Sequence, residues 1–213
     1  MAQIITALKI QKRNPNRVNV YLDGEYAFGL SLSAAAWLRV KQTLSPEKIA
    51  ELQAQDAQET AFQQALRLLS FRPRSVAEVR KKLVDRDFDP AIIETVLGRL
   101  IEGDYLSDKA FAKEWVENRS AFRPRSRRML HYELRQKGVA EEHIQSALAS
   151  IEAESDLAYQ AGIRYAARLA DLDREMFRKR LGGYLARRGF SYGTISPLVN
   201  QIWDELHSSE RSS

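Results

Sequence analysis

Residues 71–100 read FRPRSVAEVRKKLVDRDFDPAIIETVLGRL, and their pattern returns twice downstream, at 122–151 and 173–202, in a gapless register of 51 residues. Val79 aligns with Leu130 and Leu181, Leu83 with Leu134 and Leu185, and Phe88 with Val139 and Phe190. Ile93 aligns with Ile144 and Ile195, Leu97 with Leu148 and Val199, and Leu100 with Ile151 and Ile202. Six positions stay apolar in all three copies. Two stay basic, at Arg72/Arg123/Arg174 and at Arg86/Lys137/Arg188. The first two copies share the string FRPRS outright, at 71–75 and 122–126. Self-similarity at a fixed period of this size marks a tandem-repeat architecture.

Each copy reads as three helices. In the first, Asp56 with Glu59 three residues on has the form of a capping box and opens a helix through Phe62, Leu66 and Leu69. Pro73 ends it. Ser75 with Glu78 marks a second start, carrying Val76, Val79 and Leu83 on one face. Asp89-Pro90 is an N-cap followed by proline at the first helical position, and it opens a third helix through Leu100. Gly138 and Gly189 stand where a left-handed C-cap is wanted after the second helices of the later copies, and Asp87 replaces them in the first. Gly182-Gly183 falls inside the second helix of the third copy and marks it as the least stable of its kind.

Upstream, Val18–Leu22 is β-rich, and Asp23-Gly24 before Tyr26-Ala27-Phe28 is a hairpin signal. The chain is therefore read as a β-rich extension over 1–44 (a hairpin or three-stranded sheet with a short helix) and a linker helix over 45–56. Three-helix repeats follow over 57–107, 108–155 and 156–207, then a polar tail over 208–213. The fold class is mainly α.

Composition supports folding and excludes several chemistries. Of 213 residues, 44% are hydrophobic and 29% charged, enough apolar content for a sizeable core. Zero cysteines exclude disulfides, thiolate zinc sites, iron–sulfur clusters and a cysteine nucleophile. No apolar run reaches the length of a membrane span, and the first 20 residues lack a signal-peptide pattern, so a cytoplasmic protein is expected. His131, His143 and His207 have no metal-ligand spacing. Asp85, Asp87 and Asp89 begin like a calcium loop, but Pro90 and Val96 occupy its required glycine and glutamate positions. Phosphate loops, dinucleotide fingerprints and nucleophile elbows are absent from the sequence. No cofactor, no metal and no catalysis are expected. Trp115 and Trp203 read as core residues, and Trp37 is left open.

The net charge is +5, but it is unevenly placed: +4 over 72–86, +6 over 119–137 and +5 over 174–188. For any single cation the bland reading is a solvated helix face. Recurrence at fixed repeat positions argues for a surface that tracks a polyanion or a polymeric partner. The candidate partner-binding residues are Arg72, Arg74, Arg80, Lys81 and Arg86 in the first copy. The second contributes Arg123, Arg125, Arg127, Arg128 and Lys137, and the third Arg174, Arg178, Lys179, Arg187 and Arg188.

The stretches ALRLLSFRPRSVAEVRKKLVDRDFD, AIIETVLGRLIEGDYLSDKAFAKEWVENR and FRPRSRRMLHYELRQKGVAEEHIQSAL resemble the RecX family, bacterial regulators of the RecA recombinase. NRVNVYLDGEYAFGLS is similar to the extension of its longer members. The resemblance covers nearly the whole chain and is weakest in the third copy, where Glu175-Met176 replaces Pro-Arg. It implies an elongated, curved array of three-helix repeats without a catalytic site. It further implies binding along the groove of the RecA–DNA filament, with inhibition of recombinase, ATPase and coprotease activities. Weak direct contact with DNA is a secondary expectation. A direct DNA binder using helix-turn-helix-like basic repeats is the main competing reading, and an unrecognised enzyme the remaining one.

Overall fold

The computed structural model describes residues 1–209, and they form two compact units. One comprises Met1–Pro73 with Val79–Leu106; the other comprises Arg74–Glu78 and the chain from Ser107 onward.

The first unit begins with four antiparallel strands, β1 (Gln3–Gln11), β2 (Asn14–Leu22), β3 (Glu25–Ser31) and β4 (Thr43–Leu44), in the order β3-β2-β1-β4. Asp23 and Gly24, both at positive φ (50° and 95°), make the tight turn that the sequence calls for between β2 and β3. Beyond the expected strands, Thr43-Leu44 pairs with Gln3-Ile4. A one-turn helix α1 (Leu32–Ala35) precedes it. Ile5, Val20, Phe28, Leu30 and Leu44 bury one face of the sheet, with Leu52 from the next helix.

That next helix corrects the sequence reading. No linker helix ends near residue 56; α2 runs unbroken from Pro46 to Phe71. Ser45 caps it, accepting from Lys48 N at 3.2 Å, and Pro46 takes the first helical position. With neither proline nor glycine between Glu47 and Phe71, nothing interrupts it. Asp56 is therefore not an N-cap. It is buried, pairs with Arg17 at 2.7 Å and accepts from Ser31 N at 2.6 Å, tying the helix to the sheet.

The three repeats follow: α2, α3 (Val76–Val84) and α4 (Pro90–Glu102); α5 (Asp108–Phe122), α6 (Arg127–Gln136) and α7 (Glu141–Ala149); then α8 (Glu154–Ala166), α9 (Arg174–Ala186) and α10 (Tyr192–Ser209). Of the eighteen residues at the six apolar positions, all but Phe88 and Ile151 are buried. The Ser75–Glu78 capping box forms, with Glu78 N donating to Ser75 Oγ at 3.1 Å, and Asp89 accepts from Ala91 N at 2.8 Å to cap α4. Ser208 and Ser209, placed by the sequence reading in a polar tail, still belong to α10; the rest of that segment lies outside the described residues.

In the second unit the repeats share a joint. Ser75 Oγ, wholly buried, donates to the Lys137 carbonyl at 2.6 Å. One register later, Ser126 N donates to the Arg188 carbonyl at 3.1 Å. The residue after each carbonyl is a glycine at positive φ, Gly138 (74°) and Gly189 (90°). A Cβ on Gly138 would lie 2.5 Å from Ala77 Cβ, and one on Gly189 would lie 2.5 Å from Ser126 Oγ. Each glycine thus seats the end of one second helix against the start of the preceding one. The exceptions follow from the same joint. Asp87 takes the positive φ (60°) in the first copy, which has no repeat before it. Phe177 replaces the joint serine in the third copy and fills that copy's core.

Candidate partner-binding surface

The cations singled out by sequence fall into two groups. The first has partners within the protein. In the second repeat Glu133 gathers Arg119 Nε at 3.1 Å, Arg125 Nη1 in a short contact and Trp115 Nε1 at 2.9 Å. Only 12% of the Glu133 side chain is exposed, so these bonds hold α5, α6 and their connection together. Lys137 Nζ pairs with Glu78 at 2.7 Å and lies over the Trp115 ring. Arg127 Nη2 donates to the carbonyls of Ile151 and Glu152, beyond the end of α7, at 3.0 and 3.2 Å. Arg188 stacks on Tyr184 and donates to its hydroxyl at 2.7 Å. In the first repeat Arg80 pairs with Glu94, and Arg86 donates to Gln64. Each member of the series Arg86/Lys137/Arg188 therefore has a partner within the protein. Arg74 is half-buried.

The second group faces water. Lys81, Arg123, Arg128, Arg174, Arg178, Lys179 and Arg187 are exposed, and their side chains make no ion pair or hydrogen bond with the described residues. Arg180, which sequence reasoning did not single out, joins them. Arg72 is exposed too and donates to the Pro73 carbonyl at 2.8 Å. The series Arg72/Arg123/Arg174 thus stays at the surface in every copy. Five of the exposed cations without internal partners lie on or just after α9.

Other electrostatic shifts belong to packing. Burial pushes the Asp108 carboxyl up, opposed by the Val76 N–H that donates to it at 2.9 Å. Glu59 is held below its ordinary range by a hydrogen bond from Gln63 and, more weakly, by Arg99. His131 bonds Glu141 at 2.8 Å, and His207 Nδ1 lies 2.9 Å from the Trp203 carbonyl.

Aromatics are where sequence reasoning was least complete. Trp115 and Trp203 pack as expected against their repeat cores. Trp37 is 86% exposed, and Phe71 and Phe122, equivalent residues that precede Arg72 and Arg123, are exposed by 73% and 74%. Helical periodicity alone does not reveal this, because both phenylalanines end a helix whose apolar stripe has already stopped. Their recurrence in FRPRS was the available signal.

Among the described residues, no helix is long and apolar enough to cross a membrane. The model of the Regulatory protein RecX N-terminal domain matches residues 3–45. The models of the first, second and third RecX three-helix domains match 61–100, 107–148 and 152–199. Regulatory protein RecX of Bacillus subtilis (strain 168) is 31% identical over 204 residues, spanning 93% of this chain and 76% of its own length. The protein of that name from Mycobacterium sp. (strain JLS) is 40% identical over 149 residues, 67% of this chain and 81% of its own. A crystal structure of regulatory protein RecX superposes with a TM-score of 0.68 at 25% identity, covering 93% of this chain and 99% of that one. The N-terminal domain and all three three-helix domains are thus matched in order along the sequence: this chain belongs to the RecX family.

Proposed function

We propose that this protein binds the RecA–DNA filament along its groove and modulates, mainly by inhibition, the recombinase, ATPase and coprotease activities of RecA, and so regulates repair and recombination in the cytoplasm. The observation that carries the reading is the exposed series Arg72/Arg123/Arg174, repeated on a family scaffold whose other repeated cations are used internally. Similar modules can meet successive protomers of a polymer with modest contacts each, because later contacts form at high effective concentration. The protein acts by occupancy, without catalysis of its own. The cations crowded on α9, the second helix of a three-helix unit, favour some direct contact with DNA phosphate as a second reading.

The test is ATP hydrolysis by the cognate RecA on single-stranded DNA, titrated with this protein, beside a RecA variant whose filament resists disassembly. Inhibition well below one regulator per protomer is the expected result. Its loss on the resistant filament would favour disassembly over groove blocking. Arg123→Glu combined with Arg174→Glu should weaken inhibition more than either change alone. No inhibition, together with salt-sensitive binding to bare DNA, would replace this reading with the DNA-binding one.

A further inference from the structure

Gly182 and Gly183 lie inside α9, where glycine disfavours a helix. Packing within the chain does not require them. A Cβ on Gly182 would meet only Ile195 Cγ2, at 3.7 Å, and one on Gly183 only the flexible Arg187 guanidinium, at 3.4 Å. Gly162, by contrast, is tightly packed: its Cβ would fall 2.7 Å from Ile202 Cδ1, which would have to shift. Gly98 in α4 is also unconstrained, but it stands alone.

The repeat register shows what the pair replaces. The equivalent residues are Arg80-Lys81 in the first copy and His131-Tyr132 in the second. There, Arg80 reaches from the second helix to Glu94 on the third, and His131 reaches Glu141 in the same way. In the third copy no side chain extends from these positions. A groove of about 370 Å³ opens between α9 and α10. It is lined by Gly182 and Gly183, by the apolar Phe190, Ile195 and Val199, and by the cations Arg178 and Lys179. Tyr192, 79% exposed, also lines it.

We infer that this groove docks an acidic segment of a protein partner, one apolar side chain seated over the glycines and its flanking carboxylates on Arg178 and Lys179. The apolar wall selects a side chain over a sugar–phosphate strand. The cations beside it have no partner within the described residues and select negative charge. An anchor held in a pocket beside desolvated charges is how small contacts gain affinity. The inference rests on the filament reading and identifies the third repeat as the module that grips protein.

The experiment restores the second repeat's residues, Gly182→His with Gly183→Tyr, and separately reverses charge with Arg178→Glu and Lys179→Glu. Binding is measured to RecA–single-stranded DNA filaments, to bare oligothymidylate, and to a short synthetic peptide of aspartates and glutamates around one leucine. The peptide is followed by the amide resonances of Gly182 and Gly183. The refilled variant should melt at or above the wild-type temperature and lose about tenfold in filament affinity, with oligothymidylate binding unchanged. The peptide should shift both glycine amides in the wild type and leave them unmoved in the charge-reversed variant, which keeps both glycines. Filament binding at wild-type strength by the refilled variant would overturn the inference, as would an equal loss on bare oligothymidylate, which would make the occupant nucleic acid. If the wild type fails to bind filaments, the filament reading falls, and the peptide titration alone decides whether the groove takes acidic protein.

Discussion

On α6 and its flanks, Arg119 and Arg125 converge on Glu133, Lys137 on Glu78, and Arg127 on the carbonyls past α7. On α9, the corresponding helix of the next repeat, Arg174, Arg178, Lys179 and Arg180 have no internal partner among the described residues. The two windows carry similar net charge, +6 over 119–137 and +5 over 174–188. They differ in where the acid sits. Glu133 is enclosed by three donors, whereas Glu175 at the start of α9 is exposed and makes no ion pair among the described residues. Similar charge on paper therefore means a stapled helix in one repeat and an open cationic face in the next.

The joint that ends α6 offers the largest test. Gly138→Ala imposes both a Cβ at positive φ and a 2.5 Å approach to Ala77. A loss of about 3 kcal/mol in denaturant unfolding is expected from the two together. In an Ala77→Gly background, which removes the opposing methyl, the penalty should fall to roughly half, leaving the backbone part. If the penalty does not depend on residue 77, the joint is not a contact of the kind described.

The charge comparison itself comes next. Glu133→Gln keeps the shape but strips the charge that Arg119 and Arg125 share. Because both arginines are partly exposed, the expected loss is about 2 kcal/mol, below that for a fully buried pair. Arg178→Gln on α9 removes a charge with no internal partner and should change stability by less than about 0.5 kcal/mol. Comparable losses at the two sites, read by the same unfolding curves, would erase the distinction between stapled and open charge.

Much of this was legible beforehand. The 51-residue register located the core because burial demands apolar residues at fixed helical positions whatever the partner, and Val79, Leu130 and Leu181 are all fully buried. The β2–β3 turn was equally local: Asp-Gly needs no tertiary knowledge. What stayed hidden depends on residues far apart in the chain. Asp56 looks like a helix start until Arg17, 39 residues earlier, supplies its ion pair. Lys137 looks like a free cation until Glu78, 59 residues away, takes it. The groove was half visible, since the sequence showed an unstable glycine pair but not that the space beside it stays open.

The smallest expected effect separates two explanations of Asp87. This residue holds φ 60° where its counterparts are glycines, and it is exposed. If glycine is needed at 138 and 189 mainly because a neighbour presses on the missing Cβ, then Asp87→Gly gains little. Relief of the left-handed backbone is offset by the greater freedom of glycine in the unfolded chain. The net change should lie within about 0.5 kcal/mol of zero. The reverse exchange, Gly138→Asp, should destabilise at least as much as Gly138→Ala. A stabilisation of more than about 1 kcal/mol from Asp87→Gly would instead assign the glycines to backbone strain. The first repeat would then differ from the others only by tolerating that strain, and the close approach at Ala77 would be its consequence.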